Sequence, residues 1–170
     1  LSRIFSEGEE SEWVLKGGAG MTDYATTFAP ATSLDLPRLT THPYRLYPVV
    51  DQIADKVCAT MNVYEGRASS REKDLVNLVV FAMTQDIDGA ALTRAVDTER
   101  RRRQMDPFNA FVVPATWGPG YTKQSKTVPY CSRYGTVEAA SKLTARLINP
   151  VLTGEAKDAI WSHEKLSWVR

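Results

Sequence analysis

From Leu75 to Met83 the chain reads LVNLVVFAM, with Asn77 its only polar side chain. Successive residues of a helix step about 100° around its axis, so such a run leaves no side free for water. The helix has to be covered all round, and a chain that contains it must fold by wrapping other elements about it. Just upstream stands SSRE, Ser69–Glu72, which has the form of a capping box: a hydroxyl at the N-cap answered by a glutamate three residues later. The spacing predicts a central buried helix opening there, with Leu78, Phe81 and at least one of Val79 and Val80 fully inside.

Further helices follow from apolar steps of three and four residues. Val50, Ile53, Val57, Met61 and Tyr64 mark one, with Pro48 suited to its first turn. Asp88 is placed to cap another, carrying Ala91, Leu92, Ala95 and Val96 toward the run Arg100–Arg103. Thr136 is placed to cap a fourth, with Val137, Ala140, Leu143, Thr144 and Leu147 on one side and an expected end at Asn149-Pro150. Thr153 is expected to cap a fifth, with Ala156, Ile160 and Trp161 inward. Residues 106–135 break the pattern: they hold four prolines and the turn-forming WGPGY, with Phe111–Val113 a candidate short strand. The fold class expected is mainly α, about five helices in one core spanning 48–170.

Residues 1–47 differ from the rest. SEGEESE is acidic, GGAG (Gly17–Gly20) forms a flexible joint, and Pro30, Pro37 and Pro43 bias their predecessors to extended conformations. Trp13, Val14, Leu15, Phe28, Leu34, Leu36 and Leu39 are apolar anchors without helical period. This is the pattern of an extended N-terminal arm that lies along a surface, such as that of a neighbouring copy. The chain opens on Leu1 rather than Met, so it is expected to be a processed product or part of a longer polypeptide.

Composition narrows the classes. With 43% apolar and 24% charged residues the chain is too apolar for overall disorder. No run approaches the roughly 18 apolar residues a membrane span needs. Cys58 and Cys131 stand 73 positions apart and suggest small buried hydrophobes in a reducing compartment. Zinc ligands usually come as close-spaced pairs, whereas Cys58, Cys131, His42 and His163 are scattered singly, so no metal is expected. GGAGM lacks the glycine a dinucleotide loop requires, since Asp23 stands there, and no G-x-S-x-G occurs. Cys131 has no histidine near it in sequence, and pairing with His163 would need assembly in space. No catalytic residue and no cofactor is expected, and the protein is read as not an enzyme.

Charge is the informative feature. Between Arg94 and Arg146 ten basic residues face four acidic ones, against 11 basic and 16 acidic in the rest of the chain. Arg100–Arg103 diverge around a helix and cannot all meet one partner. Arg100 and Arg103, three positions apart, share a face and are expected to reach phosphate or a partner's acidic arm, leaving Arg101 and Arg102 solvated. Lys123, Lys126, Arg133 and Arg146 complete the candidate binding set. A basic block of this kind suits a phosphate backbone or an acidic protein surface. The aromatics interleaved with it (Phe108, Phe111, Trp117, Tyr121, Tyr130, Tyr134) suit stacking on bases or packing in the core.

The stretch VPYCSRYGTVEAASKLTARLI, Val128–Ile148, resembles a segment of the coat proteins of flexible filamentous plant viruses of the potyvirus type. In that family a Pro-Tyr, an Arg-Tyr-Gly and a helix with Ser-Leu-Ala-Arg follow one another. Pro129, Tyr130, Arg133, Tyr134, Gly135 and, shifted by one residue, Ala145-Arg146 carry the match. The aspartate that closes the family's motif is replaced by LINPVL, and its upstream Pro-Thr-x-Arg helix is absent. The resemblance implies an α-rich coat with extended arms and bound RNA, without assigning individual RNA contacts. The function expected is therefore structural assembly: a viral coat or nucleocapsid subunit, in the virion or host cytoplasm. Its expected partners are identical subunits joined through the arm, with single-stranded RNA at the basic block. A non-catalytic subunit of a large cellular complex, such as a ribosome or respiratory assembly, would show the same arm and charge pattern.

Overall fold

The computed structural model describes residues 14–15, 27–28, 44–64 and 66–170, with side chains from Tyr47 onward other than those of 64, 65, 67 and 68. Helices α1 (Val49–Met61), α2 (Glu72–Thr84), α3 (Gly89–Arg102), α4 (Pro119–Ser125) and α5 (Val137–Thr153) make the described part of the chain mainly α. The strands are short. β1 (Val14–Leu15) pairs parallel and β2 (Thr27–Phe28) antiparallel with β3 (Tyr44–Leu46), while β4 (Val63–Tyr64) and β5 (Arg67–Ala68) form a hairpin. β6 (Ile87–Asp88), β7 (Ile160–Ser162) and β8 (Ser167–Val169) make a second antiparallel sheet. The acidic segment, the GGAG joint and most of the expected arm lie outside the described residues.

Helix α2 takes the place its composition demands. From Asp74 to Ala82 every residue but Asn77 is buried, including Leu78, Val79, Val80 and Phe81. α1, α4 and α5 pack around it, and α3 closes the core by lying on α1 and α5. The helix does not begin at the expected capping box. It opens at Glu72, and the Ser69 hydroxyl accepts from the Arg71 amide instead of capping. Ser69 is held back by a buried indole: Trp117 Nε1 donates to its carbonyl at 2.7 Å. At the far end Trp161 Nε1 donates at 2.9 Å to the Ala82 carbonyl, one of the last-turn acceptors a helix leaves open.

Asp88 and Thr136 cap α3 and α5 as their spacing predicts, accepting from Ala91 N and Ala139 N. Pro150, expected to end α5, lies within it. A proline inside a helix costs about 3 kcal/mol by removing a ladder bond. Burying the Val151 side chain just beyond, worth roughly 1.5–3 kcal/mol, offsets most of this. Thr153 is consequently the last residue of α5 rather than the cap of a new helix, and its hydroxyl donates back to Asn149 O. Gly154, in the left-handed region at φ 80°, stops the helix.

The expected fifth helix is thus a β-hairpin. Ile160 is exposed and Trp161 fully buried, and Trp168 faces Trp161 across the strand pair, which is a period of two rather than 3.6. The turn leading into it runs so close to Gly89 that a Cβ there would lie 1.8 Å from the Ala156 carbonyl oxygen. Gly89 N donates to Ala159 O at 3.0 Å, which fastens the turn to the start of α3. The helix that sequence patterning missed is α4, with Pro119 at its first position and Gly118 before it. Phe111–Val113 is not a strand; the Phe111 amide donates to the Asn149 side chain.

Replacing Phe81 with alanine should cost about 3–5 kcal/mol of unfolding free energy in urea titrations, the range for emptying an aromatic site in a packed core. A loss below about 1 kcal/mol would mean that α2 is not the covered centre of the domain.

Candidate functional site

The arginine run divides by direction. α3 ends in a Schellman turn, with Met105 N donating to Arg100 O and Gln104 N to Arg101 O, while Gln104 takes φ 55°. Arg100 and Arg103 do share a face, but that face is turned toward the protein's own acceptors. Arg100 donates to the Met105 carbonyl at 3.0 Å and stands 3.7 Å from Asp97. Arg103, its side chain 17% exposed, donates to Glu99 on its own helix and at 2.6 Å to Asp55 on α1. Arg102 is exposed, yet it grips Glu99 with both Nε and Nη2 at 2.8 and 2.7 Å. Arg101 is exposed. The expectation that Arg100 and Arg103 reach outward therefore meets a geometry in which both already hold internal partners: α1 supplies Asp55 to Arg103, and the turn that closes α3 supplies the Met105 carbonyl to Arg100.

Glu99 carries the electrostatic cost of this arrangement in reverse. Hydrogen bonds from Arg102 and then Arg103 outweigh its burial and hold its carboxyl at about 2. Tyr47, close by, is pushed up by burial and by the carboxylates of Asp51, Glu99 and Asp55. A second ion pair joins α1 to α2: Lys56 Nζ donates to Asp74 Oδ1 at 3.4 Å with both side chains buried. Arg71 Nε lies 2.8 Å from the other oxygen of Asp74, an ion contact whose N–H is not aligned for a hydrogen bond.

The remaining basic residues behave differently. Lys123 on α4, Lys126 at its C-cap, Arg133 beyond the 3₁₀ turn Pro129–Cys131, and Lys142 and Arg146 on α5 are all exposed. Between Pro107 and Asn149 these five cations meet one carboxylate, Glu138. Among the described residues Lys123, Lys126, Arg133 and Lys142 make no ion pair, and Arg146 donates to the Leu166 carbonyl at 2.6 Å. α4 and the 3₁₀ turn are held against α2 by Tyr121, which is fully buried and donates to Tyr134 O at 2.6 Å. Of the six interleaved aromatics, Phe111, Trp117 and Tyr121 are buried and Phe108 and Tyr134 packed against the core; Tyr130, between Lys126 and Arg133 in sequence, is 52% exposed.

The thiols are not poised for chemistry. Burial pushes Cys58 up to about 12, and Cys131, buried beside Tyr121, is also pushed up. His163 Nδ1 lies 2.7 Å from Asp86 Oδ1, which also accepts from the His163 amide; these two contacts, the backbone one first, hold Asp86 down. Cys131 and His163 thus have different partners. Among the described residues no three His, Cys, Asp or Glu side chains gather in a way that could hold a metal ion. His42 lies outside the described residues. No described helix is long and apolar enough to cross a membrane. Comparison with protein-family models, with curated proteins and with solved structures gave no match.

Because Glu99 is held below its ordinary value of 4.5, its contribution to stability is complete above about pH 4.5 and is lost as pH falls through about 2. Unfolding free energy should fall by about 2 kcal/mol more in the native chain than in Glu99→Gln over that window, a figure reduced for the water around Arg102. Equal pH slopes in the two proteins would place the acid sensitivity elsewhere.

Proposed function

We propose that the protein is a structural assembly subunit, a viral coat or nucleocapsid protein, that contacts single-stranded RNA through the outward cations of residues 119–146. One observation carries this reading: Lys123, Lys126, Arg133 and Lys142 are exposed and lack ion-pair partners among the described residues, whereas Arg100, Arg102 and Arg103 of the most basic run meet carboxylates of the protein itself. Exposed charges that bind nothing repel one another, and a phosphate chain relieves that repulsion while releasing its counterions. Tyr130 offers a ring for stacking in the same segment. Self-association through residues 1–47 belongs to the proposal on the strength of their widely spaced apolar anchors, and the resemblance of Val128–Ile148 to filamentous coat proteins points to the virion.

The triple variant Lys123→Ala, Lys126→Ala, Arg133→Ala should weaken single-stranded RNA binding and lower the slope of log affinity against log salt by about 2, at roughly 0.7 per neutralised phosphate. Arg100→Ala with Arg103→Ala should destabilise the fold and leave that slope nearly unchanged. Light scattering of the purified chain should show rods, rings or shells. A persistent monomer with no RNA affinity at low salt would favour a subunit of a cellular complex instead.

A further inference from the structure

The face of α5 that carries Lys142 and Arg146 borders an open groove of about 650 Å³ whose other wall is β8. Asn149 and Pro150 continue the helix side, and Ser167 and Trp168 form the strand side. Lys142 and Arg146 are four residues apart, so both side chains project from one face. No carboxylate lines this groove. The other charged hollows differ: the one between α3 and the end of α5 sets Asp97 beside Arg100, and the one between α1 and α3 sets Asp51 and Glu99 beside Arg102. An anion entering either would meet a carboxylate, whereas at α5 and β8 it meets only cations.

The aromatic wall is fixed in advance. Trp168 Nε1 donates to the Leu147 carbonyl at 3.1 Å, and its ring meets that of the buried Trp161 edge-on, centroids 5.8 Å apart and planes at 73°. The indole is therefore held at its N–H and against the Trp161 ring, so little side-chain entropy remains to be lost when something stacks on it. Arg146 is positioned by one N–H given to Leu166 O, which leaves other guanidinium donors for phosphate. The Asn149 side-chain oxygen is taken by the Phe111 amide, which turns its NH₂ into the available group, a donor suited to a carbonyl on a base. The volume is within the range that holds a ligand of nucleotide size.

We infer that this groove seats one nucleotide of the bound strand, its base against Trp168 and its flanking phosphates at Lys142 and Arg146. This rests on the RNA reading above and extends the interface from α4 to the α5–β8 edge. The test titrates the full chain with a short oligouridylate, following tryptophan emission and affinity at several salt concentrations. In the native chain emission should be quenched on binding, and Trp168→Phe should remove most of the quench while keeping the fold. Trp168→Leu should weaken binding roughly tenfold, with little change in salt slope, because stacking is lost and no charge is. Lys142→Ala should lower the slope by about 0.7 without altering the quench. Should Trp168→Leu lose its circular dichroism signal, the Trp168→Phe quench and the Lys142→Ala slope decide the matter. Native affinity, slope and quench in both of those variants would overturn the groove assignment and leave RNA binding standing. If the native chain fails to bind the oligouridylate at low salt, the RNA reading falls and the groove assignment with it.

Discussion

Two indole N–H groups anchor the chain on either side of the central helix, α2. Trp117 reaches the carbonyl of Ser69 before α2 begins, and Trp161 reaches the carbonyl of Ala82 in its last turn. A helix leaves carbonyls open in its last turn, of which Ala82 O is one, and the Ser69 carbonyl lies just ahead of α2; an unpaired buried carbonyl costs about 1–3 kcal/mol. Both tryptophans come from segments without long helices, so the stretch 106–118 is fastened just ahead of α2 and the C-terminal hairpin onto its last turn, each by one buried indole N–H. Trp161 in turn orders Trp168 edge-on, and Gly89 lets the backbone of 156–159 pass close enough to align the hairpin with β6.

With α2 at the centre, charge sorts by which helix face meets which neighbour. α3 lies on α1, and the contact brings Asp55 under Arg103, so part of the most basic run in the sequence is consumed in joining two helices. α4 and α5 lie on α2, where the Glu72 carboxylate is pressed against Gly120 of α4, and Lys123 and Lys142 on these two helices make no ion pair among the described residues. Exposed cations without an ion pair thus include Lys123, Lys126, Arg133 and Lys142 on and beside α2's neighbours as well as Arg94 and Arg101 on α3, and the proposed binding surface rests on the former group.

Much of the fold is legible in the sequence because the strongest signals are local. Continuous apolar residues from Leu75 announce burial, Asp88 and Thr136 announce helix starts, and three- and four-residue steps give α1, α3 and α5. What was missed depended on long-range partners. Ser69 fails as a cap because Trp117, 48 residues away, holds its carbonyl. Pro150 fails as a stop because Val151 gains a buried site. Ile160 and Trp161 fit an inward helical face until Trp168 is paired opposite. The candidate site shows the same limit. Lys123, Lys126, Arg133 and Arg146 stand exposed, but Arg103 is turned inward by Asp55, which nothing within the run Arg100–Arg103 signals, and Arg100 by the Met105 carbonyl of the turn that closes α3.

The division between inward and outward cations is open to direct measurement by side-chain footprinting. Limited modification of arginine and lysine in the full chain, read by mass spectrometry, should label Arg101, Lys123, Lys126 and Arg133 readily and Arg100 and Arg103 slowly. Single-stranded RNA should then protect Lys123, Lys126 and Arg133 while leaving Arg101 reactive. Arg103 reacting as fast as Arg101, or RNA protecting Arg101 but not Lys126 and Arg133, would contradict the account.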